Sequence, residues 1–467
     1  MPKSARQVLR DIHRETELPA VAIFGYLVIL FQNWRILKNN IDLGQYCLLN
    51  KDSKTDLKRN AMDVQWNDLI VRDARALTAS EIRDLLKVAE RPEITSFAGG
   101  VPDPALFPLS DFNSVYRDLM DDDTAGRRSL QYSISEGLPA LRQWIVDDLA
   151  TNGAVRDISN ILITCGAQQG LDMLGRLLLE AGRQIVVEKP TYLGAMQAFS
   201  MRRPEYVGVD MDDDGPIIAQ LEAAFANGAR IAYLAPDFQN PTGRSYSLER
   251  RLAVLDVVRK YGAVILEDAA YCKLSYDGTS LPSLLALDDT GGDLAAGTVI
   301  QLGTFSKTLA PALRIGWVTA PRPVIERLVL MKQAGDLHVS TVNQEVALRA
   351  AGRLFPGHID GLRDAYRHKR DTMLAALDDF MPDGVTYTRP QGGMFIWLNL
   401  PENIDSRRLL ELALEEAKVA FVPGQAFFCD YSGTNTARLS FATEKPDRIR
   451  SGIERLATLI KRVHNQY

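Results

Sequence analysis

Two hydrophobic periods alternate along the middle of the chain. Short apolar runs rich in β-branched residues recur at 160–166 (NILITCG), 184–190 (QIVVEKP), 230–236 (RIAYLAP), 263–268 (AVILED) and 297–306 (GTVIQLGTFS). They are continuous rather than alternating, which marks strands covered on both faces. Between them, Gln169–Ala181 and Leu248–Lys260 repeat apolar residues at helical spacing. Strands separated by helices need crossover connections, so the pattern predicts an α/β domain with a mostly parallel sheet over 111–345. In such sheets ligands gather at the carboxyl ends of the strands.

Beyond Gly352 the pattern changes. A charged helix over 359–379 leads to two strand-like runs around a Gly-Gly pair (381–400), then to VAFVPGQAFF (419–428), ARLSFAT (437–443) and a last helix ending at Val463. These features predict a smaller α+β domain over 346–467, joined by the segment 62–110. Residues 1–61 share no pattern with the rest and are expected to be an extension dispensable for chemistry. Their apolar run, Leu18–Phe31, is too short to span a bilayer. No cleavage site follows it, and Arg6, Arg10 and Arg14 are mixed with acids before it, which argues against a secretory signal. No internal repeat or low-complexity linker is present.

The totals narrow the function. A net charge of −5 over 467 residues excludes a nucleic-acid footprint spread over the whole surface. Cys47, Cys165, Cys272 and Cys429 form no C-x-x-C pair, so a reducing, cytoplasmic setting without structural zinc is expected. His13, His338, His358, His368 and His464 do not pair at metal-ligand spacing, and no metal is expected. Asp210-x-Asp212-x-Asp214-Gly215 opens like a calcium loop, but Leu221 stands where the bidentate acid belongs, so it reads as a solvated acidic turn.

The unusual residues cluster at strand ends. TCGAQQG closes a strand at Gly166 and opens a helix, aiming the amides near Ala167 and Gln168 outward as a phosphate seat. Tyr192 follows the next strand, where its ring either covers a flat ligand or packs in the core. Asn240-Pro241-Thr242-Gly243 is a turn that also presents an amide side chain. Asp268 ends an apolar strand, where a carboxylate is costly without a cation or donor to meet it, and Tyr271 follows three residues on. GTFSKTLAPALRIGW (303–317) places Lys307 and Arg314 in an otherwise apolar stretch beside Thr304 and Ser306. A partly desolvated lysine can attack a carbonyl, and an arginine grips phosphate oxygens in pairs.

Taken in order, Asn240-Pro241-x-Gly243, Asp268-x-x-Tyr271, Ser306-Lys307 and Arg314-x-Gly316 resemble the pyridoxal-phosphate-dependent aminotransferases of fold type I, class I/II, over roughly residues 75–460. The resemblance implies pyridoxal 5′-phosphate as cofactor, attached to Lys307. It pairs Asp268 with the pyridine nitrogen and gives the ring oxygen to Asn240 and Tyr271. Tyr192 stacks on the ring. Ala167, Gln168, Thr304, Ser306 and Arg314 hold the phosphate, and Arg438 receives the substrate α-carboxylate.

SFAGGVPDPALFP (96–108), LQYSISEGLPALRQW (130–144) and the paired glutamines of GAQQG resemble the 2-aminoadipate and kynurenine aminotransferase subgroup. That likeness places Gly100 against the substrate, sends Tyr132 to the phosphate of the other subunit in a homodimer, and makes Arg83 a gate able to meet a distal carboxylate. Two departures stand out: Ala167 where relatives often carry Ser, and Lys189 where an acid or amide is usual. The expected reaction is ping-pong transfer of an amino group from an L-amino acid (2-aminoadipate, or an aromatic or branched-chain one) to a 2-oxo acid such as 2-oxoglutarate, with no nucleic-acid or membrane partner. Two alternatives are an amino-acid-sensing transcription regulator, for which 1–61 offers no helix-turn-helix pattern, and a lyase using the same site residues.

Overall fold

The computed structural model describes residue 64, residues 66–75 and residues 91–465 apart from positions 155, 278, 279, 289, 294 and 356. The extension 1–61, its apolar run and Arg83 lie outside the described residues. The chain divides into Met1–Ile70 and Val71–Tyr467. Of the first unit, the described part includes one helical turn, Trp66–Leu69, with Trp66 and Leu69 exposed.

The second unit is α/β. Its eight-stranded sheet comprises β1 (Ile161–Thr164), β2 (Gln184–Lys189), β3 (Glu205–Asp212), β4 (Gly215–Pro216), β5 (Ile231–Leu234), β6 (Val264–Asp268), β7 (Val299–Thr304) and β8 (Gly316–Thr319), in the order β1-β8-β7-β6-β5-β2-β3-β4. Successive residues of one strand serve different cores, both buried. Ile163, Val186, Leu234 and Ile265 face one apolar cluster, while Leu162, Val187, Tyr233 and Leu266 face the other. Burial on both faces is why these strands read as unbroken apolar runs.

The central pairings β3/β2, β2/β5, β5/β6 and β6/β7 are parallel, as the alternation with helices predicts. Strand β8 was not anticipated, and it runs antiparallel to both β7 and β1. The reason is local: the chain returns from Thr304 to its partner Gly316 without a crossover helix, and a short return can only pair antiparallel. Strand β3 and its hairpin partner β4 also escaped the pattern, because β3 lies towards the sheet edge and is only partly buried.

Helix α1 (Gly166–Leu178) follows β1, α2 (Leu193–Ser200) follows β2, and α3 (Leu248–Lys260) precedes β6. Gly170 lets α1 approach the sheet, since a Cβ there would sit 2.5 Å from Leu302. After α4 (Arg322–Gly335) and the long α5 (Gly357–Phe380) comes a four-stranded antiparallel sheet: β9 (Thr386–Tyr387), β10 (Phe395–Asn399), β11 (Val422–Pro423) and β12 (Thr436–Ser440), ordered β9-β10-β12-β11. Helix α6 (Pro446–His464) packs with α5 on its apolar face. Residues Thr95–Ser96 pair in parallel with Val419–Ala420, which ties the segment before Gly100 to this module. Among the described residues no helix is long and apolar enough to cross a membrane, and no side-chain group is arranged to hold a metal ion.

Two carboxyls are sealed under the large sheet. Glu188 accepts from Tyr246 Oη at 2.5 Å and from Ala235 N at 3.2 Å, and its Oε2 has no partner. Glu267 accepts from Leu284 N (2.8 Å), Leu285 N (3.1 Å) and Gln301 Nε2 (2.9 Å). Burial pushes both up to about 7 from 4.5. The folded chain therefore holds protons that the unfolded chain releases, so stability from these groups is full below pH 4.5 and is lost as pH rises through 7. Each shift corresponds to roughly 3 kcal/mol. Glu188→Gln keeps an acceptor for Tyr246 and Ala235 and cannot ionise. Thermal melts at pH 5 and pH 8 are expected to show a smaller loss of Tm with rising pH in Glu188→Gln than in the parent protein.

Candidate active site

At the carboxyl ends of β1, β2, β5, β6 and β7 lies a cavity of about 340 Å³. Gly100, Ala167, Gln168, Tyr192, Asn240, Asp268, Tyr271, Thr304, Ser306, Lys307, Arg314 and Arg438 all line it. Residues more than three hundred positions apart in the chain thus meet in one chamber.

Asp268 is the last residue of β6. It shares a face with Leu266, whose register partner on β5 is Tyr233, and the Tyr233 hydroxyl donates to Asp268 Oδ2 at 2.7 Å. Ala270 N donates to Oδ1 at 3.1 Å. Burial raises the Asp268 pKa, opposed by these two donors and then by Lys307. Burial also raises Tyr233 well above the phenol range, so it stays a donor.

Lys307 sits three residues beyond β7. Its Nζ donates to Gly100 O at 3.0 Å and stands 5.8 Å from the Tyr271 ring centre. Burial foremost, then the positive charge of Arg438, and, after an opposing effect of Asp268, that of Arg314, bring it down to about 8. A lysine in that condition is neutral for a good part of the time at physiological pH.

Arg438 projects from β12 and is 3% exposed. Its Nη1 donates to Asn240 Oδ1 at 2.8 Å and its Nη2 to Ala98 O at 2.7 Å, while Nε is buried without a partner. Phe395 and Phe427 flank the guanidinium at 4.4 and 5.1 Å. Burial lowers it to about 10. Among the described residues no carboxylate pairs with it, so a buried cation without an acidic partner lines the cavity.

Opposite, Arg314 adopts a left-handed backbone (φ +52°) and donates from Nη2 to Cys165 O at 3.0 Å. Gly166 has φ +73°, and a Cβ there would lie 2.7 Å from Arg314 Nη2; one on Gly316 would lie 2.6 Å from Ala167 N. Only two glycines let the β7–β8 return press against the start of α1. That contact gathers the Arg314 guanidinium and the unpaired first-turn amides of α1 into one positive pole. Thr304 Oγ1 lies 2.9 Å from Ser306 Oγ and accepts from Ser306 N at 3.1 Å, fixing both hydroxyls beside that pole. Gln168 donates from Nε2 to Gly194 O at 2.8 Å. Tyr271 lies in reach of the Asn240 side chain, and burial raises its pKa and that of Tyr192.

The family model of aminotransferase class I and II matches residues 108–456. The chain belongs to the class I and II aminotransferases. It is 38% identical over 422 residues to aromatic-amino-acid aminotransferase 1 of Thermococcus litoralis, covering 88% of this chain and 98% of the relative. It is 38% identical over 399 residues to the 2-aminoadipate transaminase of Thermus thermophilus, covering 85% and 98%. A solved alpha-aminoadipate aminotransferase from Thermus thermophilus, complexed with N-(5′-phosphopyridoxyl)-L-leucine, superposes with a TM-score of 0.79 at 37% identity, covering 86% of this chain and all of that one. The enzyme is a transferase of amino groups.

In this aminotransferase Tyr132 does not reach its own cavity. It is 79% exposed, its ring edge-on to His338 at 5.9 Å, between exposed Leu130 and Ile134. Lys189 points away from the site and pairs with Asp210 (3.4 Å) and Asp430 (3.1 Å). The acidic turn is neutralised by arginines, Asp212 by Arg250 and Asp213 by Arg244. Sequence reasoning missed Tyr233, whose one signal was a tyrosine in an aliphatic strand, and the two phenylalanines at Arg438, which carried none.

The pH dependence of Lys307 gives a direct check. Attack on an aldehyde requires the neutral amine, so the rate at which Lys307 couples to one is expected to rise with pH and level off above about 8, rather than near the ordinary lysine value. Stopped-flow absorbance of the mixed protein and aldehyde measures it.

Proposed function

We propose that this chain is a pyridoxal-phosphate-dependent transaminase in which Lys307 carries the cofactor and moves the proton. The observation that supports it most is one buried amine, lowered to about 8, in the same chamber as one carboxyl, Asp268, and two arginines without acidic partners among the described residues. The donor set fits the group. Arg314, Ser306, Thr304 and the amides of Ala167 and Gln168 would hold its phosphate, and Asp268 would hold the proton of its ring nitrogen. Asn240 and Tyr271 would meet its ring oxygen, and Tyr192 would cover its ring. When bound, pyridoxal phosphate supplies an electron sink that stabilises negative charge at the substrate Cα.

The residues' own parts follow from their positions. Arg438 binds the α-carboxylate with its guanidinium and orients the Cα hydrogen, with Gly100 leaving space beside Nη1. Lys307, neutral at Nζ, takes the proton from the substrate Cα and would hand it to the cofactor carbon rather than back to Cα. Tyr233 and Ala270 favour the ionised form of Asp268 by donating to it, against the burial that raises its pKa.

The substrates proposed are an L-amino acid (2-aminoadipate, or an aromatic or branched-chain one) and a 2-oxo acid such as 2-oxoglutarate. Arg83 is proposed to meet a distal carboxylate. We place Tyr132 at the phosphate of a second copy in a homodimer, a reading supported by its exposed apolar neighbours Leu130 and Ile134. The proposed division is 62–110 joining a small domain at 346–467, with the cofactor-binding domain at 111–345. The free thiols of Cys165, Cys272 and Cys429 fit a cytoplasmic, reducing setting.

Lys307→Ala is expected to abolish the lysine-linked chromophore and lower turnover at least ~1,000-fold, as loss of nucleophile and base together would. Retention of both would end the assignment. A panel of amino donors with 2-oxoglutarate, read by glutamate formation, separates transfer from elimination, which instead releases ammonia without consuming the oxo acid.

A further inference from the structure

Gln169, the second glutamine of the pair, does not line the cavity; it supports the phosphate seat from behind. Its Oε1 accepts from Cys165 N at 2.7 Å, reaching back from the first turn of α1 to the residue that precedes the helix. This resembles a capping-box contact, in which a Gln or Glu satisfies an orphan N–H at the helix entrance. The same oxygen accepts from Lys332 Nζ at 3.1 Å, and Nε2 donates to Asp336 Oδ2 at 2.7 Å. Lys332 in turn meets both oxygens of Asp336 at 3.0 Å.

The Lys332 side chain is 0% exposed, whereas Asp336 is 37% exposed. Burying a whole ammonium to support a glutamine is costly, and an apolar side chain would fill the end of α4 more cheaply. What the arrangement secures is orientation. The two peptide groups that flank the Cys165 Cα are both held, the one before it at its N–H by Gln169 and the one after it at its carbonyl by Arg314. The residues immediately after it, Gly166 and Ala167, begin the helix whose amides face the cavity. The last turn of α4 is closed by Leu337 in a left-handed conformation (φ +64°), unusual for a leucine, with its N–H on Lys332 O at 2.9 Å.

We propose that Gln169, braced by Lys332 and Asp336, is a positioning residue for the phosphate seat, fixing the Cys165 N–H at the helix entrance so that the first amides of α1 and Arg314 converge on one anion. The inference rests on the cofactor reading above. Its test uses the full-length apoprotein and pyridoxal phosphate: affinity by equilibrium dialysis, the 31P resonance of the bound phosphate, and the melting temperature without cofactor. Gln169→Leu leaves Cys165 N unpaired and is expected to weaken binding about tenfold and to shift the 31P resonance. Gln169→Glu still accepts from Cys165 and Lys332 but exchanges its donor bond to Asp336 for carboxylate repulsion, and should recover part of the affinity.

Lys332→Met and Asp336→Asn remove the braces while leaving Gln169 in place, and each should weaken binding by about threefold. Parent-like affinity and 31P resonance in Gln169→Leu, with only the melting temperature lowered, would reduce the network to a structural part and overturn the proposal. Should Gln169→Leu fail to fold, unchanged affinity in both brace variants overturns it equally. Failure of the parent protein to bind pyridoxal phosphate would remove the underlying reading instead, and is told apart because no variant is involved.

Discussion

Excess positive charge gathered at one chamber is the constraint around which this aminotransferase is arranged. Lys307, Arg314 and Arg438 converge on a single chamber that holds, among the described residues, one carboxyl, Asp268. Like charges at such a distance disfavour one another, and the amine is the one that can yield. Arg438, lowered to about 10, keeps its proton; Lys307, lowered to about 8, gives its up more readily. Burial foremost, with that repulsion adding to it, is what makes one member reactive, and anionic ligands relieve the excess charge.

The fold supplies this convergence through topology rather than through any one element. A parallel core of four pairings delivers the ends of β2, β5, β6 and β7 to one edge, and the antiparallel return to β8 brings Arg314 back beside the start of α1. That return closes only because residues 166 and 316 lack side chains. The small sheet contributes Arg438 from the far end of the chain, with Phe395 and Phe427 on either side of it. Aromatic walls keep the guanidinium dry while its polar edge stays available.

Much of this was legible beforehand for a physical reason. Residues such as Asp268 and Lys307 contradict their surroundings, and a charge at the end of an apolar run draws attention because burial would penalise it. The strands of the core were readable because two-sided burial leaves a continuous apolar signature. What escaped had the opposite character. Tyr233 looked at home in its strand, and only the register across β5 and β6 aims its hydroxyl at Asp268. Strand β8 follows an irregular return whose geometry depends on a left-handed arginine, which local pattern does not encode. Gln169 was visible as half of a motif, but its link to Lys332, 163 positions away, exists only in three dimensions.

Glu267 and Asp268 are neighbours with opposite fates. One is sealed beneath the sheet on the backbone of Leu284 and Leu285; the other looks into the chamber. Because side chains alternate, inserting or deleting a single residue within β6 would exchange their outlooks, carrying the longer acid towards the ligand and the shorter one into the interior. Two adjacent acids therefore act as a frame mark for the whole strand, and the chain's tolerance of length variation must lie in its connections.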